Sequence, residues 1–138
     1  MKFCGAVLAL VLAILVVGCA SAGGPRHIAV VSVVTAHSTL AAVQDTEALL
    51  VCGTATALPA PQCITPEAHR AFAKKLVTAF DLDGQIAKQV LAWPPDQALP
   101  PVITNLLSQL DAILAELIAA LPNTPATDRL LASLKGAQ

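Results

Sequence analysis

The sequence predicts an all-α protein: a small antiparallel helical bundle of three longer helices plus a short C-terminal helix. Apolar residues recur at helical spacing along three extended stretches, and prolines fall between those stretches rather than inside them. Only 3% of the 138 residues are aromatic and 12% charged, so the core must be built from Leu, Val, Ile and Ala. Helices joined by brief proline-containing loops bury such faces against one another in a bundle. The length suits one domain. With a net charge of −1 and no basic run, nucleic acid is a poor partner, because phosphate neutralisation needs clustered Lys and Arg.

The chain opens on Met1-Lys2, followed by an apolar run from residue 3 to residue 17. A bilayer-spanning helix needs about 20 apolar residues, so this run fits the apolar region of a secretory signal. It ends on Val16-Val17-Gly18-Cys19, aliphatic and small residues before a cysteine. This resembles the lipobox of bacterial lipoproteins. The resemblance covers residues 1 to about 20. It implies cleavage before Cys19, a diacylglycerol thioether on its sulfur and acylation of the new N-terminus. Several acyl chains together give the stable anchoring that one alone does not. Ala20 and Ser21 follow the cysteine with no Asp beside it, which in lipoproteins of enteric-type Gram-negative bacteria implies the outer membrane. The expected organisation is a signal peptide over 1–18, the lipidated Cys19 with a flexible tether over 19–27, and a single helical-bundle domain over 28–138. Extended at ~3.4 Å per residue, "ASAGGP" would hold the domain within ~20 Å of the membrane.

Cysteine usage follows from that reading. Cys4 leaves with the signal and Cys19 is lipidated, so Cys52 and Cys63 remain as an even pair in an oxidising compartment. They bracket "CGTATALPAPQC", a Gly/Thr/Pro/Ala loop, and a disulfide is expected between them. The rival is a zinc site of Cys52, Cys63 and His69 with Glu67 nearby, but structural zinc usually takes four Cys or His ligands.

The first helix is expected from Ile28 to Cys52. "IAVVSVVT" has the composition of a strand, yet its apolar residues do not alternate and no breaker follows. At 100° per residue, Val30, Val33, Val34, His37, Ala41, Gln44, Ala48 and Val51 share one face, with Ser32, Thr35, Thr39 and Thr46 opposite. The second helix begins at Thr65-Pro66-Glu67, an N-cap, a first-turn proline and an acid. The stripe of Phe72, Leu76, Ala79, Ile86, Val90 and Trp93 keeps its phase across Gly84, so one helix runs to about Trp93 before "PPDQALPP" turns the chain. "VITNLLSQLDAILAELIAAL" gives the third, with a broad face from Ile103 to Leu121. Asn105, Ser108, Gln109, Asp111 and Glu116 make its polar side and exclude a membrane span. Pro122 stops it, and a short helix restarts after Thr124-Pro125, offering Leu130, Leu131 and Leu134.

Polar residues on apolar faces are where chemistry could sit. If the first two helices pair around the Cys52–Cys63 loop, facing residue numbers sum to roughly 118. His37 then lies level with Asp81 and Asp83, and Gln44 with Lys74 and Lys75. A His37–Asp83 contact could be a general base or pH-sensitive latch, or a polar pair fixing helix register. The latter is expected, because Ser38, Thr39 and Thr78 carry no nucleophile context. His27 falls in the tether. "DLDG" cannot be a calcium loop, since Ala79 and Val90 would occupy positions needing acids. No phosphate loop, Cys-x-x-Cys, Gly-x-Ser-x-Gly or His-Glu-x-x-His occurs. Trp93 is a possible partner anchor or a core plug.

The expected function is that of a lipid-anchored envelope protein with a binding or structural role, not an enzyme, without cofactor or metal. Its expected partners are the membrane through the lipid and a protein or second copy, met through any excess of the third helix's apolar face. Alternatives are a bundle holding an apolar small molecule or lipid, and a phage- or prophage-encoded envelope lipoprotein acting in lysis or exclusion. The general look of the mature region resembles such phage proteins.

Overall fold

The computed structural model describes residues 24–54 and 62–136. The lipobox-like segment, with Cys4 and Cys19, lies outside the described residues. Within them the protein is helical: α1 Pro25–Leu50, α2 Pro66–Ala92, α3 Pro101–Ala120 and α4 Pro125–Gly136. Each helix carries proline at its first position, where the missing N–H would have had no intrahelical partner. Ile28–Thr35 is helical throughout. There Ser32 donates its hydroxyl to Ile28 O at 3.0 Å.

Helix α1 begins at Pro25, so Pro25, Arg26 and His27 form its first turn rather than part of a tether. Helix α2 starts where the capping pattern put it, with Thr65 accepting a hydrogen bond from Ala68 N, and passes unbroken through Gly84 to Ala92. Helix α4 has a comparable start. Thr127 N donates to Thr124 Oγ1 at 3.3 Å, and Thr127 Oγ1 donates to Pro122 O at 2.7 Å. Both threonines are buried.

After α1 the chain turns at Gly53, whose φ of 89° is a conformation that side-chain-bearing residues rarely adopt. Ile64 N donates to Leu50 O at 2.7 Å and Cys52 N to Ile64 O at 2.9 Å. The Cys52–Cys63 disulfide closes this junction, with Cα atoms 5.0 Å apart. Helix α2 packs against both α1 and α3, and α1 makes smaller contacts with α3 and α4. Leu40, Val43, Ile86, Leu110 and Leu117 are entirely buried at the centre. Each is worth about 1.5–3 kcal/mol of transfer free energy.

The buried face of α1 differs from the expected one. Ala29, Ser32, Val33, Ala36, Thr39, Leu40, Val43, Thr46, Glu47 and Leu50 turn inward. Val34 is 60% exposed, and Gln44 and Ala48 are also exposed. Val33 of the expected face is buried and Val30 packs against the core, and the hydroxyls explain the shift of the rest. Ser32, Thr39 and Thr46 stand seven residues apart, and each donates to the carbonyl four residues back, at 3.0, 2.9 and 2.8 Å. Satisfied in this way, they enter the core without a polar penalty. They also keep the face thin beside Ala29 and Ala36.

The broad face of α3 is largely covered. Leu106 and Ile113 are partly buried against the core, while Val102 at its start is 52% exposed. By length and mean hydropathy alone, α1 (1.3) and α3 (1.5) could cross a membrane. The five polar residues of α3 therefore do not exclude a span on that criterion. In the fold described here both helices supply core side chains.

Candidate functional site

The seam between α1 and α2 holds the polar groups that sequence and structure together single out. His37 Nδ1 lies 2.9 Å from Asp83 Oδ2. The two residues come from different helices and have opposite environments. The Asp83 side chain is 6% exposed and that of His37 62%. Phe80, one turn before Asp83 on α2, meets the imidazole edge-on with ring centroids 5.6 Å apart. Asp83 Oδ1 is buried and has no hydrogen-bond partner. An ionised carboxylate only accepts, so against an ionised Asp83 the proton of this contact is carried by His37 Nδ1. Asp81, by contrast, is exposed.

A second pair repeats the arrangement with the helices exchanged. His69, on α2, places Nδ1 2.6 Å from Oε1 of Glu47, on α1. Again the acid is buried, with a side chain 5% exposed, and the histidine is partly open at 43%. The pairs stand ten residues apart on α1, about 15 Å along its axis. In both, the residue numbers sum to within two of the expected value of 118. Sequence reasoning anticipated the first pair and missed the second. The same register sum would have matched His69 to Glu47, had Glu47 been assigned to the inner face. Buried carboxylates facing histidines across the seam join α1 to α2 at two points along the helix axis.

The remaining candidates are engaged elsewhere. The hydroxyls of Ser38, Thr39 and Thr78 donate to the carbonyls of Val34, Thr35 and Lys74, at 2.9, 2.9 and 3.1 Å. Lys75 does not meet Gln44. Its Nζ reaches Glu116 Oε2 on α3 at 2.6 Å. The disulfide removes Cys52 and Cys63 from any zinc site, and His69 faces Glu47 instead. Among the described residues no group of three or more His, Cys, Asp or Glu is placed to hold a metal ion. His27 is exposed in the first turn of α1. Trp93 is half-buried and donates Nε1–H to Ala98 O at 3.1 Å, closing the proline corner between α2 and α3.

No family model, curated protein or solved structure matches this chain.

One further acid is perturbed. Burial raises the Asp111 carboxyl from 3.8 to about 6. It lies on the inward-turning flank of α3 between Leu107 and Leu114, both buried, where desolvation disfavours the charged form.

Proposed function

We propose that this chain is a lipid-anchored protein of the bacterial envelope. It is exported by residues 1–18 and acylated on Cys19, and it carries an antiparallel helical bundle that acts by binding or structural association rather than catalysis. The periplasmic face of the outer membrane is the location this reading favours. The observation that carries it is Val16-Val17-Gly18-Cys19 at the end of an apolar run, six residues before the first turn of a folded helical body. The pairing of Cys52 with Cys63 supports an oxidising compartment. The absence of a catalytic assignment is supported by the candidate hydroxyls of Ser38, Thr39 and Thr78 being turned onto their own helices. The histidine–carboxylate pairs serve as register elements in this reading.

Intact mass of the product from a bacterial host tests the proposal. A chain beginning at Cys19 with diacylglycerol and N-acyl increments is expected, and an inhibitor of the lipoprotein signal peptidase should leave the precursor uncleaved. A product retaining Met1, or carrying a free thiol at Cys19, overturns it.

A further inference from the structure

The start of α1 and the proline corner meet at one end of the bundle. Arg26 donates from Nη2 to Leu91 O at 2.7 Å. Gly24 lies so near the corner that a Cβ there would stand 3.3 Å from Pro95 O. Helix α3 begins at this end too, since Pro100-Pro101 directly continues the corner. Leu91 is 64% exposed and Val102 52%, and Pro94, Pro95 and Pro101 are exposed with them. From Gln89 to Asn105 the only charged residue is Asp96. Further along, α2 carries Glu67, Arg70, Lys74, Lys75, Asp81, Asp83 and Lys88.

We infer that this end of the bundle rests on the lipid leaflet, with Leu91, Trp93 and Val102 entering the boundary between headgroups and acyl chains. The inference depends on the reading of Cys19 as acylated. Gly24 follows Cys19 by five positions, a reach of at most ~17 Å, so an anchor at Cys19 holds this end of the bundle near the leaflet. Bringing charge out of water is what opposes contact with the interface, and the proline corner brings only Asp96, with Arg26 beside it donating to Leu91 O. Trp93 adds a half-buried apolar ring whose Nε1–H is already donated to Ala98 O, so the indole enters the boundary without an unpaired donor. Tethering makes the contact intramolecular, so a small apolar surface suffices to hold it.

Trp93 is the single tryptophan, and its fluorescence reads the contact directly. The full chain, purified from a bacterial host and checked by mass for acylated Cys19, is reconstituted into phosphatidylcholine vesicles. Some vesicles carry lipids brominated near the headgroup end of the acyl chains. Quenching by the brominated lipid and protection from aqueous iodide are expected. The Leu91→Asp/Val102→Asp variant should lose most of that quenching while its acyl mass and helical circular dichroism stay unchanged. The milder Leu91→Ser/Val102→Ser variant should lose part of it. An acylated chain whose Trp93 is reached by iodide and not by bromolipid overturns the docking while leaving the anchor intact. A product without the acyl mass overturns both. Crosslinking of two copies through positions 91 and 102 in the vesicles would assign the surface to self-association, and so overturns the docking as well.

Discussion

Replacing His37 by Ala removes the one hydrogen bond made to Asp83, whose Oδ1 already lacks a partner. The residue is only 4% exposed, so the mutant retains a buried carboxylate with neither oxygen bonded. Leaving a buried acceptor unsatisfied costs ~1–3 kcal/mol. The imidazole itself is 62% exposed, and its loss opens a path for water, which places the expected cost in the lower half of that range, at ~1–2 kcal/mol. Asp83→Leu removes the acid instead. A well-packed apolar replacement for a buried ionic group is often neutral or stabilising by ~1 kcal/mol or more. The acid on the inside should thus be more dispensable than the base on the outside. In the double variant, Asp83→Leu should recover most of what His37→Ala lost. Urea unfolding followed by helical circular dichroism measures all four corners of this cycle. The reasoning is refuted if His37→Ala leaves stability unchanged, or if Asp83→Leu is the more damaging single change.

Other outcomes follow from the same structure. Because burial raises the Asp111 carboxyl to about 6, its effect is neutral below the unfolded value, and stability is lost as pH rises through the folded one. Asp111→Asn should therefore raise stability at pH 7.5 by about 1 kcal/mol, discounted for partial solvent screening, and give no gain at pH 3.5. Equal gains at both pH values in urea titrations would contradict this. Reducing the Cys52–Cys63 disulfide, or replacing both cysteines by Ser, should cost ~2–3 kcal/mol for a loop of this size, seen as a lower urea midpoint. Thr39→Leu should destabilise by ~1–3 kcal/mol through overpacking. Thr39→Val, which keeps the shape, should stay within ~1 kcal/mol of the parent. If the two substitutions cost the same in thermal unfolding, side-chain volume is not what this face demands.

The helices were legible because their ends are written in local chemistry. Thr65-Pro66-Glu67 and Thr124-Pro125 specify starts by capping and by fixed φ, and those rules need no tertiary context. The pairing of α1 with α2 was legible as well, since a short loop sets a register and the register delivered His37 to Asp83. The rotation of α1 was not. That helix is apolar nearly all round, so its periodicity carries little phase, and ranking by hydropathy put valines inward and hydroxyls outward. In the fold Val34 faces solvent while Val33 stays inward, and Ser32, Thr39 and Thr46 lie within. A hydroxyl bonded to its own helix backbone behaves as a small apolar group, which no hydropathy scale records for a single residue. The misplaced rotation also hid Glu47, and with it the second histidine pair. The raised titration of Asp111 was illegible for a related reason, because it depends on how closely neighbouring elements cover a flank that looks polar in sequence.

The clasp at the foot of the first two helices joins them twice, through the sulfur bridge and through the backbone bonds of Ile64 to Leu50 and Cys52. Hydrolysis of any peptide bond between Gly53 and Gln62 would leave two polypeptides that travel as one molecule. Only a reductant would let the pieces be told apart on a gel.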